Sequence, residues 1–285
     1  MMTSTPSAER ESITIATLNV QGLTAKLRRT LDLCEVHSVD ILFVQETFVS
    51  PDSNRAVKMA ARKAGWTFTP GSVLAKRGGG YRAGVGVLSR WPVQLFVGPA
   101  GPFGTELGEG RLMWIKAHRP GQRPMIFANI YLHSGDDKSA AALLDHAVSS
   151  LWLSGETGAV VGDYNLTKEQ SPVSQYIATG IMRDMDLVGG DESTNTRLDG
   201  RAIDYGLATE TLAVSSRFQA RGVADHDLVG WRLLVQHDAP TYRREACAKL
   251  IQEEVSESAW TEVWENTMPT LREHAKSMMQ IRHGK

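Results

Sequence analysis

Short segments in which apolar and polar residues alternate recur along most of the chain, and this period of two predicts half-buried β-strands. The predicted strands are Ile13–Val20, Asp40–Gln45, Gly84–Leu88, Val93–Val97, Leu112–Ala117, Met125–Leu132, Ala159–Gly162, Ile203–Ala208 and Leu228–Leu233. Apolar residues at helical spacing predict helices, which are fewer than the strands. In the last predicted helix, Ser171 is the expected N-cap and Pro172 the first helical residue. The predicted helices are Ala25–His37, Asn54–Lys63, Lys138–Trp152 and Ser171–Ile177.

The strands outnumber the helices, and the helices fall between some of the strands, a pattern typical of packed sheets with helices outside. We therefore predict an α+β fold, a four-layered α/β/β/α sandwich of two packed, mostly antiparallel sheets. After His237 the strand pattern stops, and Glu, Lys, Arg, Ala and Met become more frequent. The sequence thus predicts a flexible N-terminus at residues 1–12, one domain at residues 13–236 and a helical extension or linker at residues 237–285.

The charge balance of the chain sets limits on its partners. The formal net charge is −1, so no overall basic field would draw the protein onto nucleic acid, and such binding needs a local patch. The cysteines Cys34 and Cys247 do not have the spacing of a zinc site. The first twelve residues lack the apolar core of a signal peptide, and no run of about 18 apolar residues predicts a membrane span. We expect an intracellular protein, in the nucleus or cytoplasm, with no membrane partner.

Acidic, amide, aromatic and imidazole side chains lie next to the ends of the predicted strands. They are Asn19, Glu46, Tyr131, His133, Asp163, Asn165, Asp204, Asp225 and His226. Strand ends on one rim of a sandwich converge, and carboxylates that meet there repel one another unless a cation is present. Ligands that are all oxygen suit Mg²⁺, Mn²⁺ or Ca²⁺ better than zinc. The pattern therefore predicts a cleft that binds a hard divalent cation.

Six short motifs follow one another in order: T-L-N-V-Q-G-L, V-Q-E-T, N-I-Y-L-H-S, G-D-Y-N, R-A-I-D-Y and A-D-H. Together they resemble the ordered motifs of the endonuclease/exonuclease/phosphatase superfamily, and they cover residues 13 to 235. The chain is similar in particular to apurinic/apyrimidinic endonucleases and to the endonuclease domains of LINE-type retrotransposons. The resemblance implies a metal-dependent phosphodiesterase.

The resemblance also implies which residues bind the metal. Glu46 resembles the main metal-binding glutamate, Asn19 the asparagine that supports it, and Asp225 a further carboxylate near the metal. Mg²⁺ is the expected cofactor, with Mn²⁺ as the alternative. Gln21 departs from the pattern, because repair-type enzymes often carry an aspartate there, and this predicts a change in metal number or affinity. Ala224 replaces the usual serine, a change compatible with activity.

Four further residues resemble the groups that act on the phosphodiester. Asp163 resembles the aspartate that orients or deprotonates the attacking water, and Asn165 would hold a non-bridging phosphate oxygen. His226 resembles the histidine that contacts the scissile phosphate, and Asp204 the carboxylate that orients this histidine. A carboxylate beside an imidazole fixes its tautomer and favours its charged form.

The sequence leaves open the roles of two other sets of side chains. Tyr131 resembles a tyrosine of the repair and retroelement enzymes, and His133 a histidine of the deoxyribonuclease branch; either could meet the leaving alkoxide. Lys76, Arg77 and Arg82 lie in or beside a glycine-rich loop and are the predicted contacts to the nucleic-acid backbone. A solvated loop explains these three basic residues equally well.

The favoured interpretation is a Mg²⁺-dependent DNA endonuclease of repair or retroelement type, with water oriented by Asp163. The first alternative is a phosphatase or lipid phosphodiesterase similar to inositol polyphosphate 5-phosphatases or sphingomyelinases. The second is an inactive nucleic-acid-binding remnant, against which the complete set of acids argues. DNA is thus the expected partner, and the oligomeric state stays open.

Overall fold

The computed structural model of the chain describes residues 12–75, 80–98, 108–118, 122–187 and 195–235. Lys76, Arg77, the predicted extension at residues 237–285 and all but the last residue of the predicted N-terminal segment lie outside these ranges. The predicted domain boundaries therefore stay predictions. None of the helices within these ranges is long and apolar enough to cross a membrane.

Two six-stranded sheets run through the described part of the chain. In spatial order, the first contains β13 (Val214–Ala220), β14 (Leu228–Leu234), β1 (Ser12–Asn19), β2 (Ile41–Gln45), β6 (Gly86–Ser89) and β3 (Thr67–Pro70). The second contains β11 (Arg183–Asp184), β12 (Asp204–Ala208), β10 (Gly158–Asp163), β9 (Met125–Tyr131), β8 (Leu112–Ala117) and β7 (Val93–Phe96). A separate ribbon pairs β4 (Leu74–Ala75) with β5 (Tyr81–Arg82).

Each sheet contains one parallel pair of strands, and a helix joins the members of that pair. The described helices are α1 (Leu23–Val36), α2 (Pro51–Lys63), α3 (Asp137–Ser154), α4 (Val173–Ala178) and a 3-10 helix (Met185–Leu187). Helix α1 connects β1 to β2, and α3 connects β9 to β10. A parallel pair needs such a crossover, whereas the other neighbours in both sheets are antiparallel.

Alternating side chains divide the apolar interior into layers. Along β1, Ile13 and Ile15 point between the two sheets, where they join apolar residues of β2, β9 and β10. Ala16 and Leu18 point the other way and pack with apolar residues of α1, including Leu27. Helix α3 covers the outer face of the second sheet in the same manner. The predicted four-layered sandwich is therefore confirmed.

Local signals in the sequence define where the longer helices begin and end. The side chain of Ser50 accepts a hydrogen bond from the backbone N–H of Ser53 at the start of α2. Asp136 does the same for the N–H of Ser139 at the start of α3. Gly155 ends α3 in the left-handed conformation, with φ of 65°, which glycine adopts without steric cost.

The structure differs from the predicted elements at edges and at one helix start. The sequence did not predict β13, because V-S-S-R-F-Q-A is mostly polar and this strand lies half-exposed at the edge of the first sheet. It also missed β3, a short edge strand that ends in Pro70. Helix α4 begins at Val173 and is capped by Pro172 without a side-chain hydrogen bond, so the predicted Ser171 cap was wrong.

A buried network of ion pairs ties the two sheets together. Lys168 Nζ donates to both carboxylate oxygens of Asp184 at 2.8 Å and to Asp186 Oδ2 at 2.7 Å. Asp184 belongs to β11 of the second sheet. Asp186 Oδ1 in turn accepts from Trp231 Nε1 at 2.9 Å and lies 3.0 Å from Arg217 Nε, both in the first sheet.

Replacement of Lys168 by methionine is expected to lower the free energy of unfolding by about 3 kcal/mol, because it leaves buried Asp184 without its cation and leaves Asp186 paired with Arg217 alone. Urea denaturation followed by circular dichroism would measure the loss. Arg28→Met is the matched control, since Arg28 is 85% exposed in its pair with Asp32 and such a pair contributes about 0–1 kcal/mol. Equal effects of the two changes would contradict a stabilising role for the buried network.

Candidate active site

The carboxyl ends of the two parallel strand pairs meet at one rim of the sandwich. Asn19 ends β1 opposite Gln45, the last residue of β2, so that Glu46 follows directly at the same edge. In the second sheet, Tyr131 at the end of β9 lies opposite Asp163 at the end of β10. Strand β12 adds a carboxylate from its first residue, directly opposite Asp163. The rim therefore collects side chains from both sheets.

Asn19 joins the two halves of the rim by hydrogen bonds. Its buried Nδ2 donates to Glu46 Oε1 and to Asp163 Oδ2, both at 2.9 Å. Tyr131 OH donates to the same Glu46 oxygen at 2.8 Å. The sequence-predicted residues Asn19, Glu46, Tyr131 and Asp163 are thus in direct contact. Oε2 of Glu46 accepts no hydrogen bond from the residues that the structure describes.

Three residues at the rim adopt backbone conformations that L-amino acids rarely use. Gln21, Glu46 and Asn165 have φ of 45°, 50° and 48°. The N–H of Gly22 donates to the carbonyl of Glu46, and that of Leu23 to the loop after β2, so the start of α1 holds this loop. Non-glycine residues in this region cost about 1–3 kcal/mol each and cluster at functional sites. The strain at the rim therefore supports a functional role.

Asp163 is a buried carboxylate with an unusual proton affinity. Its Oδ1 accepts from the backbone N–H of Asn165 at 2.9 Å, and the Asn165 side chain donates to the carbonyl of Leu132 at 3.0 Å. Burial, together with the negative charge of Asp204, raises the pKa of Asp163 to about 7, although the charge of His226 opposes this shift. A carboxylate that titrates near neutrality can take a proton from water.

His226 and Asp204 form a buried pair beside Asp163. His226 Nδ1 lies 2.8 Å from Asp204 Oδ2, which also accepts from the hydroxyl of Thr196 at 2.9 Å. Thr196 is fixed in turn by the backbone N–H groups of Ile203 and Asp204, which both donate to its oxygen at 3.0 Å. Because the carboxylate engages Nδ1, the other ring nitrogen of His226 is turned toward Asp163 Oδ2, at 3.9 Å.

The surroundings of His226 favour its charged form. Burial disfavours the charge, but the hydrogen bond and negative charge of Asp204, with Asp163 adding to them, raise the pKa of His226 to about 9. At neutral pH the imidazolium therefore faces the rim with an N–H that can donate to an anion.

A second cation stacks on the tyrosine of the rim. The Arg111 guanidinium lies 4.7 Å from the centre of the Tyr131 ring and donates to the carbonyls of Tyr131 and Leu132, both at 3.2 Å. Burial lowers the pKa of Arg111, and the positive charge of Arg82 adds to this shift, whereas Tyr131 opposes it. Burial and the charge of Glu46 raise the pKa of Tyr131, so its hydroxyl stays protonated and can donate.

The remaining predicted residues lie farther along the rim. Asp225 Oδ1 lies 3.8 Å from His226 Nε2 and accepts from Gln21 Nε2 at 2.6 Å, while its Oδ2 accepts from Arg197 Nε at 3.3 Å. The pKa of Asp136 at the start of α3 is lowered mainly by its hydrogen bonds with Ser139, and the charge of His133, two residues beyond Tyr131, adds to this. The sequence analysis missed Arg197, because only the bridge between residue 197 and His226 brings it to the rim.

The donor set at the rim fits a divalent cation. Asp163, Asp204 and His226 offer ligand atoms that all lie within 4.8 Å of one another, a group that could hold a metal ion. In this group, however, Asp204 already binds the imidazole at 2.8 Å. The Glu46 carboxylate offers an oxygen beside two donors that fix its orientation. Carboxylate oxygens of this kind suit hard cations such as Mg²⁺.

Comparison with known protein families agrees with the order of the motifs. The family model described as "Endonuclease/Exonuclease/phosphatase family" matches residues 16–233. The chain belongs to this family. Members of the endonuclease/exonuclease/phosphatase family are hydrolases that depend on a divalent metal, mostly nucleases and phosphatases. No curated protein matches the sequence.

Solved structures of this family share the fold at low sequence identity. The APE2 catalytic domain from Xenopus laevis is 16% identical with a TM-score of 0.62, covering 80% of this chain and 93% of that one. An AP endonuclease from Archaeoglobus fulgidus is 19% identical with a TM-score of 0.59, covering 80% and 100%. The 3' phosphatase NExo from Neisseria, bound to a product DNA hairpin, is 18% identical with a TM-score of 0.58, at the same coverage. These likenesses establish the fold alone.

Replacement of Asp204 by asparagine is expected to lower the pKa of His226 from about 9, because the opposing charge that holds the proton is lost. NMR titration of the metal-free protein would follow the His226 ring, with His146 as the internal control. The His226 charge contributes stability that is complete below about pH 6.5 and lost as the pH rises through about 9, so in the variant this loss should be smaller and should end at lower pH. An unchanged His226 titration would contradict the role of Asp204.

Proposed function

We propose that the protein is a Mg²⁺-dependent phosphodiesterase, and specifically a DNA endonuclease of repair or retroelement type. The observation that carries the proposal is the hydrogen-bonded connection from Glu46 through Asn19 to Asp163, with the His226 imidazolium beside it. It combines an oxygen ligand for a cation, a carboxylate that titrates near neutrality and a donor for an anion. Hydrolysis of a phosphodiester by water needs these three groups.

In the proposed reaction, Asp163 orients a water molecule and takes its proton as that water attacks phosphorus. Its pKa of about 7 suits this task at neutral pH, and general-base help of this kind contributes about 10²–10⁴-fold. His226 donates its free N–H to a non-bridging phosphate oxygen, where negative charge increases during the attack. Asp204 holds the imidazole in place, and Asn165 lies beside the same phosphate.

Glu46 is the proposed metal ligand, and Asn19 keeps its carboxylate in place by donating to Oε1. Bound Mg²⁺ would supply Lewis-acid stabilisation of the charge that develops on the phosphate. The family resemblance implies Asp225 as a further ligand, but the Gln21 amide donates to one of its oxygens at 2.6 Å. Mn²⁺ would serve the same group, because it also prefers oxygen ligands.

The leaving alkoxide needs a proton, and Tyr131 is the proposed donor. Its hydroxyl stays protonated at neutral pH and lies in contact with Glu46 at 2.8 Å. The stacked guanidinium of Arg111 holds the ring in place. His133 is the second proposed donor, because it follows Tyr131 at the end of the same strand.

DNA is the proposed substrate because basic side chains border the cleft. Arg82, Arg111 and Arg197 lie near the acidic centre, and phosphate contacts of this kind position a nucleic-acid strand. Lys76 and Arg77 are proposed to extend this contact. The structures of similar fold include AP endonucleases and a phosphatase bound to DNA, which supports a nucleic-acid substrate.

A cleavage assay with a panel of substrates tests the proposal. We expect nicking of supercoiled plasmid or of a duplex with an abasic site in Mg²⁺, and none in EDTA. Single-stranded DNA and RNA would define the preferred strand. Release of inorganic phosphate from inositol phosphates, or of phosphocholine from sphingomyelin, without cleavage of nucleic acid would overturn the DNA assignment. Inactivity on all of these substrates would favour a nucleic-acid-binding remnant.

A further inference from the structure

One carboxylate of the rim is engaged by the protein itself. Asp225 Oδ1 accepts from the Gln21 amide at 2.6 Å, and its Oδ2 accepts from Arg197 Nε at 3.3 Å. Both oxygens therefore have a donor within the chain. An aspartate at position 21 would repel Asp225, whereas the glutamine amide binds it. Gln21 thus holds Asp225 in a hydrogen-bonded pair.

Backbone hydrogen bonds hold the segment around Arg197 in place. The N–H of Arg197 donates to the carbonyl of Arg201, and the N–H of Leu198 donates to the carbonyl of Asp225. A short β-bridge pairs Arg197 with His226. The arginine is thus attached to the segment that carries the histidine proposed to contact the scissile phosphate.

The guanidinium of Arg197 retains capacity to bind an anion. Its side chain is 27% exposed, and Nη1 lies 3.5 Å from Asp199 Oδ2. Its Nη2 donates no hydrogen bond to the residues that the structure describes. Guanidinium is always charged, and its planar set of donors matches two phosphate oxygens. Arginine held by a carboxylate at Nε keeps its outer nitrogens available for such a contact.

We infer that Arg197 binds a backbone phosphate of the nucleic-acid strand next to the scissile one, and that Asp225 and Gln21 position this arginine. The inference rests on the proposed nuclease function and assigns a substrate contact to it. Asp225 is then a positioning residue for Arg197 instead of a metal ligand, which differs from the role that the family resemblance implies.

The contact is tested by binding without cleavage. A fluorescently labelled DNA duplex is titrated with protein in EDTA at several salt concentrations, and fluorescence anisotropy gives the dissociation constant. Arg197→Gln is expected to weaken binding about tenfold and to reduce the slope of log K against log salt by about one. Arg28→Gln is the matched control, because this arginine is exposed on α1 and also pairs with an aspartate. The control should leave both quantities unchanged.

The positioning role of Asp225 is tested by a double-mutant cycle and by metal binding. In an Asp225→Asn background, Arg197→Gln should weaken DNA binding less than about twofold, because the guanidinium is no longer held. Calorimetric titration with Mn²⁺ should give the same affinity for Asp225→Asn and wild type. A loss of about tenfold or more would make Asp225 a metal ligand and overturn its assigned role.

The outcomes separate this inference from the proposed function. If the wild-type protein neither binds nor cleaves nucleic acid, the proposed function fails. If it binds, and Arg197→Gln keeps the wild-type affinity and salt slope, the inference fails and the nuclease function stands. Equal weakening by Arg28→Gln would show a general charge effect and would also overturn it. If Arg197→Gln does not fold, Arg197→Lys is tested in its place. This variant should keep the salt slope of wild type but bind DNA more weakly. If it binds DNA with the wild-type affinity, the inference fails.

Discussion

Replacing Asp163 with asparagine is expected to reduce kcat for phosphodiester hydrolysis by about 10²–10⁴-fold, the usual contribution of a general base. Asparagine keeps the size of the side chain and an acceptor for the N–H of Asn165, but it cannot take a proton from water. Steady-state nicking of supercoiled DNA, with enzyme in the micromolar range if needed, would measure the change. The exposed Asp32 offers a matched control, since Asp32→Asn removes the same charge from the surface of α1.

The loss of activity should not come from unfolding. The pKa of Asp163 is raised to about 7 in the folded protein, so protonation of this group favours folding, and the benefit is lost as the pH rises from about 4 through about 7. An asparagine has no such pH dependence. In EDTA above neutral pH, the Tm of the variant should therefore not fall far below that of wild type. A variant that keeps kcat within a factor of about ten would rule out Asp163 as the base.

Glu46→Gln is expected to weaken Mg²⁺ binding by at least about tenfold. At low Mg²⁺ concentration, the rate of hydrolysis should fall by a larger factor than the metal affinity does. The glutamine oxygen can still accept from Asn19 and Tyr131, so the shape of the rim is kept while the charge that attracts the cation is lost. Calorimetric titration with Mg²⁺ or Mn²⁺, together with rates at increasing Mg²⁺, would separate binding from turnover.

The control for this change is Glu156→Gln, an exposed glutamate just beyond the end of α3. It should leave metal affinity and rate as they are in wild type. Unchanged metal affinity in Glu46→Gln would place the cation elsewhere. The group of Asp163, Asp204 and His226 would then be the next site to test, by calorimetry of His226→Gln.

The sequence predicted the centre of the site because strand ends are encoded locally. Short, mostly apolar segments define β1, β2, β9 and β10, and a parallel pair brings its carboxyl ends to one edge. The polar residue after each strand is therefore placed by the strand itself. Asn19, Glu46 and Asp163 are in contact for this reason, and the motif order added the pairing of His226 with Asp204.

Contacts that depend on loops could not be predicted in this way. The partner of Gln21 is Asp225, 204 positions away along the chain, and no periodicity connects them. No local pattern gives Arg111 a role, whereas the packing of the rim stacks it on Tyr131. Arg197 depends on a bridge between two loop segments. In each case the contact follows from the docking of distant segments, which a local pattern does not contain.

The pairing of β1 with β14 has a consequence for engineering the chain order. Ser12 lies opposite Leu234, so the first and last described strands of the domain begin and end side by side. Asn19 is at the other end of β1, roughly 23 Å away at about 3.3 Å per residue. A circular permutant that joins residues 235 and 12 through a short linker would therefore change the protein only on the side remote from the cleft. New ends could then be opened between β8 and β9 while both halves of the rim keep their strands.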